Sequence, residues 1–266
     1  MNQISEADFF RFKSFNVKNV ESAMKISTDS VIIGAWAFSN TFRSFHKPFT
    51  ILDIGTGTGV IAMIAAFRTQ NIEYAKVHLN SNAPQIIGID IDKNSVLEAH
   101  YNFQHSPWAN RLNAHLCSVQ LFGEEKQLTD NIDDSQNRID YIITNPPYFI
   151  NSLKNPSERE ASARHTNTLS FADIINNSKR LLTEGGKLAL ILPPNESKKF
   201  LSDIVTEPDF HLLRKCSIYT KKNSLKRVMM EFQFNEEILS ELSPYTDEKL
   251  IIESEKYREL TKDLYL

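Results

Sequence analysis

The tetrapeptide Asn145-Pro146-Pro147-Tyr148 contains residue types that could activate a planar amino group. The lone pair of such a nitrogen is delocalised, which makes it a poor nucleophile. The side-chain oxygen of Asn145 and the backbone oxygen of Pro146 could each accept one N–H and stabilise the charge that develops as the nitrogen attacks an electrophilic methyl group. Tyr148 could stack on the substrate, and Phe149 could form a wall of the pocket. Because asparagine and proline are also ordinary turn residues, the tetrapeptide alone indicates a site and a plain turn about equally.

The residues before this tetrapeptide place it at the end of a buried strand. Residues 139–144 form a short apolar run rich in β-branched side chains, and the two prolines stop further strand pairing. In open α/β sheets the ligand crevice lies outside the carboxyl ends of the strands. We therefore expect Asn145 and Pro146 to face a pocket.

A glycine-rich turn is the second candidate site. Residues 49–66 are predicted to form a strand, a turn with Gly55, Gly57 and Gly59, and a helix. Glycine lets a backbone approach a ligand closely, and the start of a helix offers free N–H groups. Asp53 precedes the glycines, and the series lacks the final helix-packing glycine of the dinucleotide fingerprint. An acid at this point would repel a pyrophosphate and suit an ammonium group, so the turn favours a cationic cofactor over a dinucleotide.

The next two predicted strands add candidates at the same edge of the sheet. The second strand ends in Asp90, and an acid at such a tip typically binds ribose hydroxyls. Asp92 is predicted to cap the helix 94–104. The third strand, 112–119, has Ser118 at its tip.

The N-terminal 48 residues combine phenylalanines with mixed charge. We predict that they form a lid packed on the core by its phenylalanines. The helix that Val31 begins is predicted to be capped by Thr28 or Asp29. From residue types alone, Lys25 and Thr28 suit this lid better than a contact to a cofactor carboxylate.

Downstream of the tetrapeptide the sequence predicts the rest of an α/β domain. The polar residues 150–168 could form a lid over the substrate. The later predicted elements are a helix from Ser170 to Leu182, a break at Gly185-Gly186, a strand Lys187–Leu192, a helix Asn195–Val205, and strands Phe210–Tyr219 and Arg227–Phe234.

One stretch of the chain is strongly basic. Its cations are Arg214, Lys215, Lys221, Lys222, Lys226 and Arg227, and residues 214–227 include no acid. The stretch could bind phosphates or form a solvated hairpin tip, and residue types do not separate these alternatives.

Composition limits the function classes. The chain has 266 residues, enough for one large α/β domain, and its formal net charge of −3 excludes a global basic field for nucleic acid. Cys117 and Cys216 are predicted to be reduced core thiols, which is typical of a cytosolic protein. We expect no signal peptide, no membrane span and no metal site.

The two motifs together resemble a known enzyme class. The glycine motif at 52–59 and Asn-Pro-Pro-Tyr at 145–148 are similar to motifs I and IV of class I S-adenosylmethionine-dependent amino-methyltransferases. Over nearly the whole chain, further blocks resemble the bacterial tRNA (adenine-N6)-methyltransferase family that modifies position 37 of a valine tRNA; they lie at 13–17, 23–36, 106–108, 163–165 and 260–266.

This resemblance implies a fold and a function. The implied fold is a Rossmann-like α/β domain with a seven-stranded, mostly parallel sheet, one antiparallel strand and helices on both faces. Residues 1–266 would form a single methyltransferase domain with an extension at 1–48, a core at 49–236 and a tail at 237–266. The implied function is N6-methylation of an adenosine in tRNA by a cytoplasmic monomer that binds the anticodon stem-loop.

The resemblance also assigns site residues. The cofactor S-adenosylmethionine would be bound by Lys25, Thr28, Asp53, Gly55, Thr56, Gly57, Gly59, Asp90, Ile91, Ser118 and Asn145. The catalytic residues would be Asn145, Pro146, Pro147 and Tyr148. RNA would be bound by Tyr148, Phe149, Arg164, Lys221, Lys222, Lys226 and Arg227. Ser118 departs from the family pattern, which usually has an acid that hydrogen-bonds the cofactor adenine.

Three alternatives share parts of this pattern. A protein-glutamine methyltransferase uses the same tetrapeptide for an amide nitrogen, but its family usually carries a larger helical N-terminal domain. An rRNA or DNA adenine methyltransferase uses it for the same nitrogen, and the DNA enzymes usually need a target-recognition domain for which this chain has little room. A cofactor-binding regulator would keep the glycine turn without catalysis, although the retained Asn145 and Tyr148 disfavour it.

Overall fold

The computed structural model describes residues 5–38, 49–70, 84–123, 138–147, 169–235 and 245–265. The strands in these ranges are β1 (Phe9–Arg11), β2 (Asn16–Lys18), β3 (Thr50–Ile54), β4 (Gln85–Asp90), β5 (Leu112–Leu116), β6 (Ile139–Thr144), β7 (Leu182–Leu192), β8 (Phe210–Tyr219), β9 (Leu225–Phe234) and β10 (Thr246–Ile251). The α-helices are α1 (Thr28–Ala37), α2 (Val60–Thr69), α3 (Lys93–Gln104), α4 (Phe171–Leu181), α5 (Pro194–Ile204) and α6 (Glu255–Thr261).

Eight of these strands form one mixed sheet in the order β10-β8-β9-β7-β6-β3-β4-β5. β9 runs antiparallel to both β7 and β8, and the other pairings in the sheet are parallel. Seven strands with one antiparallel member agree with the predicted class I methyltransferase fold. The predicted count of seven was wrong by one, because β10 adds an edge strand beside β8.

The edge strand β10 lies in the segment 237–266 that the sequence indicated only as a tail. Of its six residues only Leu250 is buried. An edge strand with one buried side chain has no alternating apolar pattern, which explains why periodicity did not predict it.

Apolar cores lie on both faces of the sheet, because successive side chains of a strand point to opposite faces. In β6, for example, Ile143 belongs to one core and Ile142 to the other. Helices α1, α2, α3 and α6 contribute to the first core, and α4 and α5 contribute to the second. Eight of the ten residues of α1 are buried, so this helix is enclosed by its neighbours.

The structure corrects several predicted boundaries. Ser27, and not Thr28 or Asp29, caps α1, because its side chain accepts a hydrogen bond from the Ser30 N–H. The predicted break at Gly185-Gly186 lies inside β7, where Gly185 takes a φ of 72° and the register with β6 shifts. The caps predicted for α3 and α4 are present.

The N-terminal phenylalanines pack on the first core. Phe12 and Phe15 are buried and stack on each other, and Phe15 meets Trp108 edge to face. Cys117 is half-buried and Cys216 is buried, and no disulfide joins them. In the described part of the chain, no helix could cross a bilayer, and no cluster of His, Cys, Asp or Glu could hold a metal.

Candidate active site

The glycine turn between β3 and α2 bends through left-handed backbone. Gly55, Gly57 and Gly59 have φ angles of 72°, 55° and 81°, a region that favours glycine. A Cβ on Gly55 would meet no atom within 4 Å, so a ligand can approach the backbone there. A Cβ on Gly59 would lie 2.4 Å from the Phe103 ring. Gly59 therefore allows close contact between the start of α2 and α3, a packing role that the sequence analysis did not assign to this motif.

Asp53 places a buried carboxylate under this turn. The residue is 0% exposed, and its Oδ2 accepts a hydrogen bond of 2.7 Å from the Thr56 hydroxyl. Oδ1 has no hydrogen-bond partner among the described residues. Burial raises the pKa of Asp53 to about 7, and the nearby Asp90 charge adds to the shift, whereas the hydrogen bond from the Thr56 hydroxyl opposes it. A buried carboxylate with an unpartnered oxygen fits a site for a cationic group.

Asp90 connects the end of β4 to the same turn. Its Oδ2 accepts a hydrogen bond of 3.0 Å from the Gly57 N–H, and its Oδ1 accepts one of 2.9 Å from the Asp92 N–H. Burial raises the pKa of Asp90, while these backbone N–H groups act in the opposite direction. The neighbouring Ile91 is 50% exposed, so its side chain is accessible beside the end of β4.

Ser118 lies two residues beyond the end of β5 and is half-buried. The Cys117 N–H donates to the Asp90 carbonyl oxygen at 3.0 Å. This bond keeps the segment after β5 beside Asp90. Asp90, Ile91 and Ser118 therefore lie close to one another at this edge of the sheet. The predicted strand 112–119 was too long, because β5 ends at Leu116.

Asn145 lies beside the glycine turn because β6 and β3 are neighbours. Thr144 pairs with Ile54, and its hydroxyl donates to the Ile54 carbonyl oxygen at 2.8 Å. The next residue of each strand is Asn145 in one and Gly55 in the other. Asn145 is 7% exposed, Pro146 is buried and Pro147 is exposed. The structure thus brings the amide of Asn145 and the open face of Gly55 to adjacent strand ends.

The N-terminal segment 20–25 borders the turn from the other side. A Cβ on Gly57 would lie 3.4 Å from the Ser22 hydroxyl oxygen. The Lys25 ammonium donates to the backbone carbonyl oxygens of Val20 and Ser22, the latter at 3.0 Å. Thr28 is exposed at the first position of α1.

Known proteins similar to this chain are methyltransferases. A family model described as a methyltransferase domain matches residues 45–233. The chain is 33% identical over 264 residues to a protein of Flavobacterium johnsoniae, an alignment that covers 97% of this chain and 99% of the relative. It is 35% identical over 263 residues to a protein of Parabacteroides distasonis, with 97% and 98% covered. Both relatives are named tRNA1(Val) (adenine(37)-N6)-methyltransferase.

The chain belongs to the tRNA1(Val) (adenine(37)-N6)-methyltransferase family. The resemblance drawn from the sequence motifs is confirmed, and the chain is a methyltransferase. Members of the family and this chain align almost end to end, so the N-terminal and C-terminal segments are part of what the family shares.

Solved structures confirm the fold. A class I S-adenosylmethionine-dependent methyltransferase from Listeria monocytogenes matches with a TM-score of 0.56 at 13% identity, covering 90% of this chain and 69% of that chain. An O-methyltransferase from Agrobacterium tumefaciens matches with a TM-score of 0.57 at 14% identity, covering 89% and 96%. At these identities the likeness concerns the class I methyltransferase fold and not the substrate.

The basic stretch 214–227 is largely balanced by acids that come from elsewhere in the chain. The pairs are Arg214 with Glu231, Lys215 with Asp247, Lys221 with Glu253, and Arg227 with Asp29. Lys222 and Lys226 are exposed and form no ion pair with any residue that the structure describes. The hairpin between β8 and β9 still lies at the carboxyl edge of the sheet, because Val228 pairs with Leu192 at the end of β7.

Three predicted site residues, Tyr148, Phe149 and Arg164, lie outside the described residues. Conversely, the structure adds a residue that the sequence analysis missed. Glu98 of α3 is 1% exposed and faces the segment 20–25. The available signal was the spacing of Ser95, Glu98 and Asn102, which places three polar side chains on one face of a helix.

Proposed function

We propose that this enzyme transfers a methyl group from S-adenosylmethionine to N6 of adenosine 37 in a valine tRNA. The observation that carries the proposal is the pairing of Thr144 with Ile54, which sets Asn145 beside the open backbone of Gly55. An acceptor for an amino group and a turn for a cofactor then lie side by side. The names of the full-length relatives support tRNA as the substrate.

The cofactor residues are assigned from this arrangement. Bound S-adenosylmethionine supplies an electrophilic methyl group on a positively charged sulfur. Gly55, Thr56 and Gly57 let it approach the turn, and Asp53 provides a negative field for its ammonium group. Asp90 accepts hydrogen bonds from its ribose. Around these residues, the proposed site is completed by Lys25, Thr28, Gly59, Ile91, Ser118 and Asn145.

The substrate is activated by hydrogen-bond acceptors. The Asn145 side-chain oxygen and the Pro146 carbonyl oxygen accept the two N–H groups of the adenine amine and orient its nitrogen. They also stabilise the positive charge that develops on this nitrogen. No general base with a shifted pKa is needed, because the proton becomes acidic only after the methyl group has been transferred. Pro147 fixes the strand end, and Tyr148 stacks on the adenine.

A base beside the anticodon is unpaired, so it can be turned into the pocket at modest cost. Exposed cations at the carboxyl edge, above all Lys222 and Lys226, bind the phosphates of the anticodon stem-loop, with Arg164, Lys221 and Arg227 as further candidates. Phe149 forms a wall of the substrate pocket. We propose that the enzyme acts as a monomer in the cytoplasm and as one domain, since β10 from the 237–266 segment joins the core sheet.

The test uses two unmodified valine tRNA transcripts, one with adenosine and one with guanosine at position 37. Each is incubated with the enzyme and isotope-labelled S-adenosylmethionine, and the nucleosides are identified by mass spectrometry. The proposal expects labelled N6-methyladenosine from the first transcript only. Equal label in both transcripts would refute the position. Label in a glutamine-containing release-factor fragment, with none in either tRNA, would refute tRNA as the substrate.

A further inference from the structure

A buried polar face of α3 holds the N-terminal segment 20–25. Ser95, Glu98 and Asn102 lie on one side of this helix, and each is at most 2% exposed. Their spacing of three and four residues puts them on the same helix face. Buried polar side chains need hydrogen-bond partners. Most partners here belong to the N-terminal part of the chain and to the glycine turn, and the Ser95 hydroxyl also donates to the capping residue Asp92.

Glu98 binds three consecutive backbone amides. Its Oε1 accepts hydrogen bonds from the N–H groups of Val20 and Glu21 at 2.6 and 2.8 Å, and its Oε2 accepts one from Ser22 at 2.8 Å. A carboxylate with several such donors is strongly satisfied even when it is buried. These three hydrogen bonds therefore fix the N–H groups of residues 20–22 in place.

The same segment is also fixed on its carbonyl side. The Lys25 ammonium donates to the carbonyl oxygens of Val20 and Ser22. The Glu98 carboxylate thus binds the amides of residues 20–22, and the Lys25 ammonium binds the carbonyl oxygens of Val20 and Ser22. These two hydrogen bonds give the Lys25 ammonium a structural role in addition to its proposed place in the cofactor site.

The segment lies against the glycine turn, and α3 forms hydrogen bonds with both. The Ser22 hydroxyl lies 3.0 Å from the Ser95 hydroxyl and is 3.4 Å from the position that a Cβ on Gly57 would take. The Asn102 side chain donates to the carbonyl oxygen of Thr58, inside the turn, at 2.8 Å. A shift of the segment would therefore change the wall that faces Gly57.

We propose that Glu98 is a positioning residue that sets cofactor affinity by holding segment 20–25 as one wall of the cofactor site. The inference rests on the proposed place of the cofactor at the glycine turn. Glu98 itself is fully buried and does not touch the reacting groups, so it acts on binding and not on the transfer step. A residue that only stabilised the fold would not separate these two quantities.

The experiment compares Glu98→Ala with Glu259→Ala in the full-length enzyme. Glu259 is the matched control because it is a helical glutamate outside the proposed cofactor site, its side chain is 69% exposed, and it pairs with the exposed Lys262. Glu98→Ala leaves three amides without their acceptor. We expect the Kd for S-adenosylhomocysteine and the KM for S-adenosylmethionine to rise at least about tenfold. The kcat at saturating cofactor and the KM for tRNA should stay within about twofold of wild type, and the control should match wild type throughout.

Glu98→Gln provides a rescue. Its amide oxygen can still accept two N–H groups, but its NH2 group faces the third donor, so its affinity should lie between those of wild type and Glu98→Ala. If Glu98→Ala does not fold, Ser95→Ala decides, because it removes the contact to the Ser22 hydroxyl and should weaken cofactor binding about threefold.

Unchanged cofactor affinity in the folded variants would overturn the inference, and so would a fall in kcat without a change in affinity. S-adenosylhomocysteine binding is measured without RNA, so it does not depend on the tRNA substrate. If wild-type enzyme itself failed to bind S-adenosylhomocysteine, the proposed cofactor site would be wrong. If wild type binds and the variants bind equally well, only the role of Glu98 is wrong.

Discussion

Replacing Asp53 by asparagine should stabilise the free protein at alkaline pH and weaken cofactor binding at the same time. The pKa of Asp53 is raised from 3.8 to about 7, chiefly by burial. A raised pKa means that the folded state binds the proton more tightly than the unfolded state does. The stability that this group contributes is therefore complete below pH 3.8 and is lost as the pH rises through about 7.

The magnitude follows from the size of the shift. A difference of about three pKa units, at about 1.4 kcal/mol per unit, corresponds to about 4 kcal/mol. Above pH 7 the Asp53→Asn variant should gain up to about this much unfolding free energy relative to wild type. Below pH 4 the two proteins should differ little through this group, because Asp53 is then neutral in both the folded and the unfolded state.

The assay is urea denaturation of both proteins from pH 4 to pH 8.5, without cofactor. The difference between the two curves isolates Asp53 from the histidines and other carboxylates, which both proteins share. Titration calorimetry with S-adenosylhomocysteine at pH 8 supplies the second readout. The variant should bind this ligand more weakly, because the ligand's ammonium group no longer has the negative charge of Asp53 nearby. A stability difference that does not change with pH would contradict the raised pKa of Asp53. Unaltered binding of S-adenosylhomocysteine would contradict the proposed interaction of Asp53 with the ligand's ammonium group.

Other predictions concern packing, buried charge and RNA binding. Gly59→Ala should lower the unfolding free energy by about 3 kcal/mol more than Gly185→Ala does, because a Cβ at Gly59 would collide with the Phe103 ring. Gly185 is the control, since it has a similar φ and more space around it. Equal losses in urea denaturation would mean that Gly59 is not tightly packed against Phe103. Glu231→Ala removes a buried carboxylate that pairs with Arg214 and accepts a hydrogen bond from the buried Tyr141, and it should lower the unfolding free energy by about 3–5 kcal/mol. An unchanged melting temperature in calorimetry would contradict this prediction. Charge reversal at Lys222 and Lys226 should weaken tRNA binding. It should also reduce the slope of log affinity against log salt concentration by the amount expected for about two phosphate contacts. An unchanged slope would mean that the hairpin is not part of the RNA interface.

The adjacency of the two motifs was predictable from the sequence because it follows from a general rule. Asp53 and Asn145 each come at the end of an apolar run, and parallel strands place their carboxyl ends at one edge of a sheet. The caps at Asp92 and Ser170 were predictable for a similar reason, since a cap depends on residues within one helical turn.

The contacts that the sequence did not reveal join residues far apart in the chain. The stretch 214–227 contains no acid, yet Lys221 pairs with Glu253 and Arg227 pairs with Asp29. Glu98 lies 76 residues from Ser22, and its spacing with Ser95 and Asn102 indicates a polar helix face without identifying the segment that this face binds. Local periodicity carries no information about such partners, and only the folded arrangement supplies it.

We propose that the Asn145 amide oxygen activates the substrate amine beside the cofactor turn. The most direct measurement is the single-turnover rate of methyl transfer to unmodified valine tRNA by Asn145→Ala, with cofactor and tRNA both saturating. We expect this rate to fall about 100- to 1,000-fold, as for the loss of one preorganised hydrogen bond in a reaction centre. A variant that binds both substrates and transfers the methyl group within about threefold of the wild-type rate would contradict the claim.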